Sequence, residues 1–124
     1  MVSVDVADPE EVRALLNSAH SRKTDPACQF SVDHMMLQGT CWKILNGDAI
    51  EGALLTTEED GALWIMVAAG RSTHDLCDIM AAHLVAEAKG RYTAIGFRTA
   101  RRGLVKKAQR HGYEVEAYIM RKDL

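Results

Sequence analysis

Ala62-Leu63-Trp64-Ile65-Met66-Val67-Ala68-Ala69-Gly70-Arg71-Ser72-Thr73-His74-Asp75-Leu76 is the stretch on which the fold turns. Ala62 to Ala69 carries almost no polar side chain, the composition of a strand covered on both faces. Gly70 ends the run, and Ser72 or Thr73 stands where a helix cap belongs, with Ser72-x-x-Asp75 resembling a capping box in which aspartate takes the acidic place. Leu76, Ile79, Met80, His83 and Leu84 recur at helical spacing, so the helix runs to about Lys89, and Gly90 stops it. Tyr92 to Arg98 follows as a second mostly apolar strand. Strand, helix and strand in this order make a crossover between parallel strands. The helix N-terminus, positive and with unpaired amides, then lies at the C-terminal edge of the first strand, an arrangement that receives phosphate.

Upstream, Asn46-Gly47 predicts a type I′ hairpin turn between strands Cys41 to Leu45 and Ala49 to Thr56, and Thr57 to Gly61 is a second polar turn. Val2, Val4 and Val6 alternate with polar residues as an opening strand. Asp8-Pro9 starts a helix, with aspartate as N-cap and proline at the first position, whose core face is Val12, Leu15, Leu16 and Ala19. Between residues 20 and 38 the reading stays open, because Asp25-Pro26 breaks the chain and Val32 to Leu37 fits either a short helix or an irregular crossover. Downstream, Arg102 to His111 predicts a helix with Gly112 as its C-cap, and Glu114 to Met120 a last strand. The expected class is α/β (α+β): a mixed central sheet with an antiparallel N-terminal part, a parallel β-α-β crossover and helices on both faces, in a single domain over 1–124.

With 124 residues, 48% of them hydrophobic and 26% charged, the chain is of the size and composition of one globular core. Cys28, Cys41 and Cys77 form no Cys-x-x-Cys pair and their odd number leaves no complete set of internal disulfides, which fits a reducing compartment. The N-terminal residues carry neither a basic segment nor an apolar run of signal-peptide type, and no stretch approaches the ~18 apolar residues of a membrane helix. A cytoplasmic protein without a membrane partner is therefore expected. The formal charge of −2 conceals a segregation: residues 1–88 hold 14 acidic and 5 basic residues, residues 89–124 hold 3 and 10. Arg102, Lys106 and Arg110 share one stripe of the last helix. That stripe suits an anionic ligand or a nucleic-acid backbone, and equally a solvated face opposite Leu104 and Ala108. Reading of nucleic-acid bases is not expected, because no aromatic residue interleaves with the charges.

The element order and two stretches resemble the GNAT superfamily of acyl-CoA-dependent N-acetyltransferases, over roughly residues 41–124. In that family an Arg/Gln-x-x-Gly-x-Gly/Ala loop at a helix N-terminus holds the coenzyme A pyrophosphate. Here Arg71 matches the leading basic position, and His74 and Leu76 stand at the two small ones. The second stretch, Arg101-Arg102-Gly103-Leu104-Val105-Lys106-Lys107-Ala108-Gln109-Arg110-His111-Gly112-Tyr113, is similar to the family's Asn-x-x-Ala-x-x-Leu-Tyr-x-x-x-Gly-Phe. Arg101 replaces the asparagine, and Ala108 the tyrosine that commonly protonates the leaving thiolate. The resemblance implies acetyl-CoA as cofactor, contacted by Val67, Ala68, Arg71, Ser72, Thr73 and Arg101, and transfer of its acetyl group to an unidentified amine of a small molecule or a protein. Glu51 and Glu116 are the carboxylates nearest to hand as a base for that amine. The alternative is a GNAT-like module without catalysis, such as phage and regulatory members of the fold, that binds a partner or assembles as a homodimer. His74 and Asp78, four apart, with His83 beyond, do not amount to a metal site. His83 is expected to face the core and find one hydrogen bond, and Cys77 has no activating neighbour.

Overall fold

The computed structural model describes residues 2–20, 31–70, 76–99 and 101–124. Five strands form one sheet in the order β1-β2-β3-β4-β5, with β1 Val2–Val6, β2 Thr40–Asn46, β3 Ala49–Glu59, β4 Ala62–Gly70 and β5 Ala94–Phe97. The first four pair antiparallel and β5 joins β4 in parallel, with α3 (Leu76–Ala88) between them in the chain. The remaining helices are α1 (Pro9–Ala19), α2 (Val32–Gln38) and α4 (Arg102–Arg110). The open segment before Gln38 thus ends in a helix, begun by Ser31, whose hydroxyl accepts from the His34 amide at 3.2 Å. The described residues hold no helix long and apolar enough to cross a membrane.

Both hairpins are two-residue turns; the first differs in type and position from the sequence expectation, and the second is shorter than the expected Thr57 to Gly61. Asn46 pairs with Ala49, so the first turn is Gly47-Asp48, with a positive φ of 63° at Gly47 alone, the requirement of type II′ rather than I′. The second is Asp60-Gly61 between Glu59 and Ala62. Both its residues have positive φ, 50° and 79°, as type I′ demands. At the start of α1 the Asp8 amide donates to the Glu11 carboxylate at 3.0 Å, and Glu11 also accepts from Lys43 of β2 at 2.8 Å. Helix and sheet are fastened there at the surface.

Apolar side chains divide between the two sheet faces. Val12 and Leu16 of α1 and Val32, Met35 and Met36 of α2 pack with Cys41, Ala53, Leu55 and Val67 on one face. Leu84 and Ala88 of α3 pack with Leu54 and Leu63 on the other. A bulge at Met66 links the two: Thr56 pairs with Ile65 and Leu55 with Val67, leaving Met66 without an opposite number. Leu63 and Ile65 therefore serve the α3 face, whereas Met66 and Val67 both serve the face of α1 and α2. On the α3 side Trp42 donates its indole N–H to Thr56 Oγ1 at 2.9 Å and meets the His83 ring edge-on at 4.8 Å. His83 Nε2 is buried without a hydrogen-bond partner, contrary to expectation: ring packing, not a polar contact, holds this histidine.

Two other expectations are corrected. β4 is not covered throughout, for Ala68 and Gly70 are exposed where β5 has ended. Glu114 to Met120 is not a strand. The segment pairs with nothing among the described residues and every residue from Glu114 onward is exposed, because β5 offers only four residues of edge and the chain after α4 does not return along them.

Candidate functional site

β4 and β5 pair over four residues only, from Ala62↔Ala94 to Ile65↔Phe97. Beyond that point β4 continues for five residues, Met66 to Gly70, and β5 does not, so the backbone groups of β4 that face β5 have no strand partner among the described residues. The opening lies at the C-terminal ends of two parallel strands, where crevices of α/β sheets form. Its floor is nearly free of side chains. Val67 and Ala69 point into the core, while Ala68 and Gly70 are exposed.

The start of α3 is pressed against the same end of β4. A Cβ at Gly70 would stand 2.2 Å from Leu76 Cδ1, and one at Gly52, its partner on β3, 3.1 Å from the same atom. Glycines on the two strands beneath the helix let Leu76 approach them this closely. Trp64 lies over Gly96 of β5 in the same manner, a Cβ there falling 2.2 Å from the indole, and Arg98 stacks on Trp64 at 4.8 Å while pairing with Glu59 at 3.0 Å.

α4 follows β5 after a connection of four residues. Its first turn holds no acidic residue. Arg101, in extended geometry before the helix, and Arg102 place two exposed cations at the positive end of the helix, where unpaired amides favour an anion instead. No ion pair engages Arg101, Arg102, Lys106, Lys107 or Arg110 among the described residues. At its far end His111 Nε2 meets Asp78 of α3 at 2.9 Å, and Tyr113 packs edge-on against Phe97 at 5.4 Å. Burial holds the Tyr113 phenol above its ordinary value, so the group keeps its proton. The only sequence signal for this phenol was the Gly112-Tyr113 pair, which reads equally as core.

The residues named from sequence separate into three groups. Val67, Ala68 and Arg101 lie along the opening or at its rim, with the Val67 side chain turned inward. Arg71, Ser72, Thr73 and His74 fall outside the described residues, so the cap, the leading basic position and the His74–Asp78 pair are not described. The two carboxylates part company: Glu51 is the bulged residue of β3 next to Gly52 and accepts from Asn46 at 3.2 Å, whereas Glu116 is exposed on the unpaired C-terminal segment. Among the described residues no three His, Cys, Asp or Glu side chains come together as metal ligands.

No protein-family model and no curated protein matches the chain by sequence. Solved structures do. An acetyltransferase from Bacillus subtilis in complex with CoA superposes with a TM-score of 0.74 at 19% identity, over 94% of this chain and 79% of that one. The chain has the fold of the GNAT acetyltransferases. Two further GNAT-fold neighbours are an IAA acetyltransferase from Bacillus cereus, with a TM-score of 0.72, 18% identity and coverages of 94% and 79%, and a GNAT family acetyltransferase from Elizabethkingia anophelis with acetyl-CoA bound, with 0.72, 16%, 94% and 78%. The α+β class, mixed sheet and flanking helices expected from sequence are thus those of the GNAT fold.

Proposed function

We propose that this GNAT-fold chain binds acetyl-CoA in the opening between β4 and β5 and transfers its acetyl group to an amine. The observation that carries the reading is the parting of the strands after Ile65↔Phe97, which leaves five residues of β4 backbone beside a floor of Ala68 and Gly70. A narrow pantetheine-like arm fits such an opening by hydrogen bonding to the unpaired strand, as an added strand would. Diphosphate then falls to the N-terminus of α3, with Arg71, Ser72 and Thr73 as its contacts, and the 3′-phosphate to Arg101 and Arg102. The bound thioester supplies an activated acyl carbon. The amine nitrogen bonds to that carbon, the carbon–sulfur bond breaks, and the sulfur leaves with the proton the amine gives up. The chain contributes position and polarisation: β4 amides stand where a carbonyl oxygen would gain charge. Glu51, one residue from the Gly52↔Gly70 pair, holds a water for the amine in this reading. Glu116 is given no part.

Isothermal titration of the full chain with acetyl-CoA and with 3′-dephospho-coenzyme A tests the reading. Saturable micromolar binding of acetyl-CoA, weakened about tenfold or more without the 3′-phosphate, is the expected result. No heat from either at millimolar concentration overturns it. A second reading, a module that binds without transferring, is favoured by Ala108 at the position of the family's tyrosine. Micromolar binding with no release of thiol in the presence of simple amines would select it.

A further inference from the structure

The described arginines outside α4 and its cap, Arg13, Arg91, Arg98 and Arg121, each meet a carboxylate of this chain. On α4 the arrangement is the opposite. Arg102, Lys106, Lys107 and Arg110 are exposed, and none meets a carboxylate among the described residues. Asp78 of α3 is met by His111, at the end of this helix, at 2.9 Å. Arg102, Lys106 and Arg110 stand four residues apart on a row about 12 Å long, with Lys107 one turn from Arg110 beside it. Like charges at this spacing repel, and Arg102 occupies a helix end that is already positive. With 10 basic and 3 acidic residues over 89–124, the surrounding region does not neutralise the row. An anion laid along it removes both penalties.

The composition of the face selects the kind of anion. The exposed residues of α4 are Arg102, Gly103, Lys106, Lys107, Gln109 and Arg110, while Leu104 and Val105 are half-buried and Ala108 is buried. A protein partner draws its affinity from apolar and aromatic side chains in a desolvated centre from which lysine is depleted, and this face offers no such centre. A phosphate backbone needs none. Lysine, arginine and an amide donor suffice for it, and the affinity comes from the counterions that the phosphates release. A single strand would further require aromatic rings on which its bases stack, and none is exposed on α4, so a duplex fits better. We infer that the exposed face of α4 docks the phosphate backbone of a nucleic-acid duplex through Lys106, Lys107 and Arg110, without regard to base sequence. The inference stands apart from acyl-CoA binding, to which Arg101 and Arg102 alone of this helix and its cap are assigned.

Fluorescence anisotropy of a short labelled DNA duplex, titrated with the full chain over a range of salt concentrations, tests it. A dissociation constant of about 100 μM or tighter is expected at about 50 mM salt, rising on a double-logarithmic plot with a slope of about 3, the value for three neutralised phosphates. Lys106→Ala and Arg110→Ala together should weaken binding at least tenfold at that salt and reduce the slope to about 1, since each lost phosphate contact removes about one. Lys89→Ala with Arg91→Ala removes the same charge from exposed positions off the helix and should leave the slope near 3. Absence of binding at about 50 mM salt overturns the inference, as does a slope that the two pairs of substitutions lower equally. Poly-L-glutamate displacing the duplex more readily than unlabelled duplex does would point to an acidic protein instead and overturn it as well.

Discussion

The antiparallel part of the sheet and the last third of the chain solve the same problem unequally. From β1 to β4, apolar residues find helices on both sides: Leu16, Ile44, Leu54 and Leu55 are buried almost completely. After α3 the only buried hydrophobic residue among the described residues is Ala108, while Val115, Tyr118, Ile119, Met120 and Leu124 stand in solvent. The first region is held by side chains of its own; the second is basic, thinly packed and open on the edge of β5. Stability should accordingly reside in the first region and recognition of outside groups in the second.

Truncating the same kind of side chain in both regions tests that division most directly. Leu54→Ala removes a leucine packed between β3 and α3 and should cost about 2 to 5 kcal/mol in urea denaturation. Ile119→Ala, at an exposed position, should change stability by about 0.5 kcal/mol or less. Equal losses would erase the contrast. Next in size is Gly70→Ala, whose new methyl would meet Leu76 Cδ1. It should destabilise by about 1 to 3 kcal/mol and be partly rescued by Leu76→Ala. The smallest effect belongs to the clasp between α1 and β2. The Lys43 ammonium, and after it the Asp8 amide, hold the Glu11 carboxyl below its ordinary value. The charged form is thus favoured in the folded chain, and its contribution is present above the unfolded carboxylate range and lost as pH falls through the lower folded value. Glu11→Gln should lower the melting temperature slightly at pH 7 and converge with the parent chain only in acid well below the ordinary glutamate value of about 4.3. A gap that persists in acid would show that the side chain acts by packing.

What could be read beforehand followed from local chemistry. Asp8-Pro9 placed the start of α1, the apolar run to Ala69 and the helical spacing from Leu76 placed the crossover, and Gly90 placed its end. The turn at Gly47 was read one residue early because Asn46, Gly47 and Asp48 are all turn formers, and pairing of Asn46 with Ala49 decides among them. The exposure of Ala68 and Gly70 was beyond reach, since an apolar run reports what a strand tolerates on its faces and not where its neighbour stops. The same limit explains Glu114–Met120, where alternation describes the surface a strand would offer without supplying the strand to meet it. Of the site, the small residues and the arginines at α4 were legible. The glycines under Leu76 were not, because Gly52 and Gly70 are 18 positions apart and meet only through the β3–β4 register.

One unmatched residue carries a wider consequence. Because Met66 has no opposite number, β4 changes the sense of its side chains midway, and the second half of the strand turns Val67 and Ala69 inward and Ala68 and Gly70 outward. Were Met66 instead paired opposite Leu55, β4 would be turned inside out from there on: Val67 would face the opening and Gly70 the core, and a channel would become a wall without a single change in its lining. At this strand, arithmetic precedes chemistry.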